Sequence, residues 1–328
     1  MKKIFGLLAA LVLVMGCDDG EMTFKSFDFS TPTTAATFCS ADSNIIYVIK
    51  GTEVLILNLN RSQLLNVPSK KVDGAYVPTN ITIGSTYTLL YRNYNAAVSR
   101  DAICSEGGVV APIVLEQWSG VGTLQIITTE KRDDKTKVLT GYSHQITIKN
   151  ITFSKGGEEI TIVDNLFGSV TTPLGFTFDF TDADDEITPI KTCDANSTSL
   201  YKTNTAGTEL LNIKFESGVF ANTEGTKTIT IDNSTSTEIL FRTYSSSVNK
   251  ASICDPSPTI NPVAKWKARA DNGAQIIIVT KLVNNAYEHS VYLKGVVFVN
   301  SDSPTETYTP DSNDASGNYF MGVYTTNP

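Results

Sequence analysis

Two histidines, two Arg-x-Tyr triplets, four cysteines that fall into two pairs and one dense run of acids are the side chains with the means to do chemistry in this chain. An imidazole can serve as a general base or a metal ligand. On strands, however, His144 shares a face with Tyr142, Ile146 and Ile148, and His289 shares one with Tyr287, Val291 and Leu293. An apolar face predicts a buried, neutral imidazole hydrogen-bonded to a backbone carbonyl or to a tyrosine. Neither histidine has a Gly-x-Ser-x-Gly nucleophile motif to serve. Arg92 with Tyr94, and Arg242 with Tyr244, place a guanidinium beside a ring, which could hold a sugar or a carboxylate. The competing expectation is an internal ion pair with an acid that is also duplicated, either Asp28 and Asp179 or Glu53 and Glu209. It is preferred because both copies keep acid and arginine alike, whereas a ligand site would more often be kept in one.

Asp179, Asp182, Asp184, Asp185 and Glu186 offer hard oxygen ligands at a spacing that could hold calcium. They lack the glycine and distal glutamate of a calcium loop, so a solvated loop is expected there and again over 302–314. Cys39 with Cys104 and Cys193 with Cys254 are the natural disulfides. Their spacing fits no zinc pattern, since no Cys-x-x-Cys and no nearby histidine exists. Closing loops of that length stabilises each unit by roughly 4 kcal/mol. No glycine-rich phosphate cradle and no evident pair of catalytic carboxylates is present. These residues predict no metal, no cofactor and no enzyme.

The elements that position these residues are written twice. SFDFS at 26–30 returns as TFDFT at 177–181, and GTEVLILNL at 51–59 returns as GTELLNIKF at 207–215. LLYRNYNAAVSRDAIC, ending at Cys104, returns as ILFRTYSSSVNKASIC, ending at Cys254. Trp118 and Trp266 follow, then GYSHQITIKNITF against AYEHSVYLKGVVF, then LFGSVTTP against YFMGVYTTNP. Repeats over 26–173 and 176–328 are predicted, with Leu174 and Gly175 too short a connection for a flexible linker. Short runs of Thr, Val, Ile, Tyr and Phe between Gly, Asn, Asp and Ser clusters read as strands throughout. In KWKARA, Trp266, Ala268 and Ala270 alternate with Lys265, Lys267 and Arg269, the signature of a half-buried strand. Asp271-Asn272-Gly273 then predicts a hairpin, with Gly120-Val121-Gly122 making the same turn in the first unit. The expected fold is all-β: two tandem homologous antiparallel β-sandwich domains, Ig-like or jelly-roll-like, with one disulfide each.

The first 16 residues carry Lys2 and Lys3 before an apolar stretch at 4–15, shorter than the ~20 residues a membrane span needs. This is a signal peptide. Its loss would take the net charge from −8 to −10, and an acidic body without basic, aromatic-interleaved runs excludes nucleic acid as a partner. Gly16 before Cys17, with Val14 further back, resembles the lipobox of bacterial lipoproteins, which implies that Cys17 is the lipidated first residue. Asp18, Asp19 and Glu21 resemble the signal that sends Bacteroidota lipoproteins to the outer face of the outer membrane, and residues 17–25 then form an acidic tether. Together with the Phe-Asp-Phe start and the Arg-x-Tyr before the second cysteine, the pattern resembles uncharacterised surface lipoproteins of Flavobacterium-like bacteria. That resemblance implies a protein anchored in the outer membrane and facing the exterior. The expected function is a non-enzymatic binding or structural subunit working beside other outer-membrane proteins. The alternatives are a surface glycan-binding protein of a nutrient-uptake system and a carboxylate-dependent hydrolase.

Overall fold

The computed structural model describes residues 29, 32, 34–105, 111–135, 137–193, 198–232, 236–255 and 260–327. Cys17, Asp18, Asp19, Glu21 and Asp28 lie outside them, as do residues 1–16, where a signal peptide is expected. Strand is the dominant regular structure of the described chain, with helix confined to single short turns, as its β-branched and aromatic runs require. The first half contains β1 (Thr37–Phe38), β2 (Ile45–Lys50), β3 (Glu53–Asn58), β4 (Lys71–Val72), β5 (Ala75–Tyr76) and β6 (Thr79–Ile83). It continues with β7 (Thr88–Tyr94), β8 (Val114–Arg132), β9 (Leu139–Lys155) and β10 (Glu158–Pro173). The second half contains β11 (Lys191–Thr192), β12 (Ser199–Thr203), β13 (Glu209–Lys214), β14 (Gly225–Thr230), β15 (Glu238–Thr243) and β16 (Ala264–Ala268). It ends with β17 (Gln275–Val283), β18 (Ala286–Lys294), β19 (Phe298–Asn300), β20 (Thr307–Tyr308) and β21 (Tyr319–Thr326).

All named pairings are antiparallel, and they follow one scheme in both halves. In the second half one sheet runs β11-β12-β13-β15-β16-β19-β20 and a second runs β14-β17-β18-β21. In the first half the order β1-β2-β3-β7-β8-β9-β10 uses long strands that pass through both layers, with β6 pairing the far end of β8. The long strands bend at glycines. A side chain at Gly122, at φ +152°, would come within 2.3 Å of the Asn150 carbonyl oxygen, and one at Gly168 within 2.6 Å of Ala36. Both positions coincide with register shifts in the ladder, the mark of β-bulges.

The expected hairpins at these corners are corrected by the pairing. Strands β16 and β17 belong to different sheets, so Asp271-Asn272-Gly273 carries the chain from one layer to the other. Gly120-Val121-Gly122 lies inside the continuous β8 and is a bend rather than a turn. A turn motif dictates only the local path. Which sheet the next strand joins depends on the partners waiting there.

Each half has its own buried cluster, one around Ile46, Leu57, Trp118, Ile146 and Phe153 and one around Leu200, Ile213, Phe241, Ile276 and Phe298. The second cluster also takes in Leu139, Tyr142 and Leu174 from the first half, so apolar packing crosses the seam. The disulfides Cys39–Cys104 and Cys193–Cys254 form as expected, with Cα atoms 5.4 and 5.3 Å apart. Each second cysteine ends a one-turn helix, Arg100–Cys104 or Lys250–Cys254.

Candidate functional site

Both histidines are fully buried, with the tautomer set by a chain of hydroxyls rather than by the carbonyl or tyrosine expected. His144 Nδ1 lies 3.0 Å from Thr128 Oγ1 and Nε2 lies 2.8 Å from Thr172 Oγ1. Thr172 spends its own proton on Asn66 Oδ1, 2.6 Å away, and must therefore accept from Nε2–H. Nδ1 is then the acceptor of the Thr128 hydroxyl. The second half repeats the chain through Thr280, His289, Thr326 and Asn222 at 2.8, 2.9 and 2.8 Å. Burial pulls His144 down to about 4, helped by Arg61, and burial lowers His289 too. Both rings are neutral, occupied and structural.

Among the described residues the expected arginine–acid pairs do not form, and the Asp28 alternative lies outside them. Arg92 donates instead to Gln117 Oε1 at 2.8 Å, and Glu53 accepts from Tyr91, whose phenol is raised first by burial and then by that carboxylate. Glu209 is buried at 5% exposure and accepts Thr177 N–H at 2.7 Å, the Thr177 hydroxyl at 3.0 Å and Phe178 N–H at 2.8 Å. Asp179 accepts from Thr181. The acids therefore hold backbone and hydroxyls. Their pairing could not be read from spacing, because Arg242 alternates with the buried Ile239, Phe241 and Thr243, whereas Glu209 is buried opposite Thr243.

Glu209 fixes the repeated Phe-Asp-Phe segment in an unusual shape, with Phe178 in the left-handed region at φ +52°. This segment walls a cleft of about 680 Å³ at the seam between the halves. Phe176, Phe178, Phe180, Tyr308 and Tyr319 line one side, Val138, Leu139 and Thr140 the other, and Asp311 and Asn313 stand with them. The rings brace one another at centroid distances of 4.9 Å for Phe176–Tyr308 and 5.2 Å for Phe178–Tyr319. Arg132 of the first half donates from one nitrogen, Nη1, to both carboxylate oxygens of Asp311 of the second, at 2.8 and 3.0 Å, and spans the seam. Burial raises Tyr308 and Tyr319 and pushes Tyr142, which also joins the seam, up to about 12.

One cation lines this cleft from within. Lys202 is 1% exposed, and the first half has Val48 at the matching place, each opposite a leucine on the next strand. Its ammonium donates to the Met321 carbonyl oxygen at 2.7 Å and sits 5.8 Å from the Phe180 ring. Burial lowers it to about 8, opposed by Asp179. An ammonium has three donors. Among the described residues one is met by protein. Sequence reasoning passed over Lys202, although a lysine where the repeat has valine was a visible signal.

The acidic run behaves as a self-capped loop, with Asp182 Oδ1 accepting the N–H groups of Asp184 and Glu186 at 3.0 Å each. Among the described residues no cluster of His, Cys, Asp or Glu could hold a metal ion, and no helix is long and apolar enough to cross a membrane. Comparison with protein-family models, curated proteins and solved structures finds no match.

Proposed function

We propose that this chain is a non-enzymatic lipoprotein of the outer membrane, lipidated at Cys17 and directed to the cell exterior by Asp18, Asp19 and Glu21. Its two β-sandwich domains form a binding or structural subunit of an envelope assembly. The observation that supports this reading best is the seam cleft, whose size and largely apolar surface, edged by Asp179, Lys202, Asp311 and Asn313, suit a small-molecule or peptide ligand. Glu209, the Phe-Asp-Phe segment and the shared core hold its walls in place without ligand. Both histidines are consumed by threonine partners, which favours binding over acid–base catalysis.

A glycan ligand is the second reading, favoured by one feature of the second half. Tyr292 and Phe320 face each other across β18 and β21 with centroids 4.9 Å apart and planes 33° apart, both half-buried. The first half has Thr147 and Leu166 at the matching places. Purification from detergent-solubilised outer membranes tests both readings. A stoichiometric outer-membrane partner supports the subunit reading, and retention on polysaccharide that Tyr292→Ala abolishes supports the glycan reading. A Cys17→Ala chain that still fractionates with membranes refutes the lipoprotein assignment.

A further inference from the structure

The two Arg-x-Tyr copies sit in chemically different places, and we propose that the second one binds an oxyanion: a carboxylate, sulfate or phosphate group carried by a small ligand. In the first half Tyr94 is 3% exposed and packs among Cys39, Tyr47, Ile49, Val54 and Ile56 beneath the disulfide. Arg92 there is answered by Gln117. The depression beside Cys39–Cys104 is lined by Arg100, Asp42 and Asp101 and does not reach Arg92 or Tyr94. The second half opens the equivalent place into a pocket of about 540 Å³ against Cys193–Cys254, lined by Ser199, Asn212, Lys214, Arg242, Tyr244 and Lys265 among others.

Three substitutions between the copies change its character. Lys265 replaces Gln117 and stands directly opposite Arg242 on the neighbouring strand. Like charges directly opposite destabilise a sheet. Lys214 replaces Asn58 and adds a third cation, and Asn212 replaces the apolar Ile56. Among the described residues Arg242, Lys214 and Lys265 make no ion pair, and the nearby Glu238 is engaged by Lys267 at 2.5 Å. Asp255 is the one carboxylate in the lining. A chain of net charge −8 thus gathers three cations around one polar pocket.

The pocket also has geometry for recognition. Asn212, 4% exposed, spends its amide nitrogen on Ser199 Oγ and the Leu200 carbonyl oxygen at 2.9 and 3.0 Å, so it is a fixed polar wall of the pocket and leaves donation to the anion to Arg242, Tyr244 and the lysines. Burial raises the Tyr244 phenol against the pull of Arg242 beside it, so it remains a donor. A guanidinium fork matches two oxygens of one anionic group, with the lysines as flanking point charges. The acidic surface elsewhere disfavours long polyanions and selects a single charged group.

Calorimetric titration of the detergent-purified full chain with sulfate, phosphate and glucuronate, at ionic strength held by sodium chloride, tests this directly. One saturable site is expected, and the tightest of the three anions identifies the group. Arg242→Ala and Lys265→Gln should each weaken it about tenfold or more, the loss of one charge-assisted contact. Lys265 is exposed, so Lys265→Gln folds normally and keeps the test valid if Arg242→Ala does not. Arg92→Ala and Lys202→Met should bind as the parent does, which separates this pocket from the seam cleft. Absence of saturable binding by all three anions, or binding that Lys265→Gln leaves unchanged, overturns the assignment.

Discussion

Replacing Lys202 by methionine should stabilise this protein at neutral pH. The buried ammonium titrates near 8 where an exposed one titrates at 10.5, a difference worth roughly 3 kcal/mol against the folded state. Methionine fills a similar volume without a charge to desolvate, although it leaves the Met321 carbonyl without its donor at a cost of about 1 kcal/mol. The net gain is about 2 kcal/mol, or roughly 5 °C in Tm for a chain of this size. The sign with pH is specific. Between about 8 and 10.5 the folded parent releases this proton while the unfolded chain keeps it, so parental stability rises across that window. Lys202→Met lacks this rise, and the two stability curves should converge toward pH 10.5. Urea unfolding followed by Trp fluorescence at pH 7, 8.5 and 10 measures the difference, with groups common to both chains cancelling. Parallel curves, or a Lys202→Met chain less stable than its parent at pH 7, would refute the buried-charge argument.

Acidification from 6.5 to about 4 should cost the parent roughly 3 kcal/mol through His144, because the unfolded chain takes up a proton that the folded ring refuses. His144→Gln should show a shallower acid limb in denaturant titrations. Thr172→Val should cost about 1–3 kcal/mol by stranding Nε2 and Asn66, read from the urea midpoint at pH 7. Arg92→Ala should shift Tm by no more than a degree or two, since its hydrogen bond to Gln117 is exposed; a loss of several kcal/mol would restore the buried-pair expectation. Replacing Cys193 and Cys254 together by serine should cost about 4 kcal/mol, measured against the intact chain under non-reducing conditions.

The duplicated strand runs, the paired cysteines and the buried histidines were legible in the sequence because they rest on local regularities. Period-two alternation puts Trp266 and Ala268 inside and Lys265 and Lys267 outside whatever the neighbours are. Four cysteines in two matched intervals leave one economical pairing. The partners of charged and polar groups were not legible, because they are set by which strands lie side by side. Glu209 was expected to meet an arginine and instead holds the backbone of Phe178, a contact that exists only once the Phe-Asp-Phe segment folds over β13. His144 finds Thr128 and Thr172 because β8 and β10 flank β9. The long bends of β8 and β10, where the first half fuses what the second half splits into two sheets, depend on close backbone approach at Gly122 and Gly168. The repeat itself was written in the chain. Where its two copies diverge, at Lys202 and at Lys265 opposite Arg242, residue identity was visible from the start, but only tertiary packing decided that one lines a cleft and the other faces a second cation, since burial and charge proximity are properties of neighbours distant in sequence.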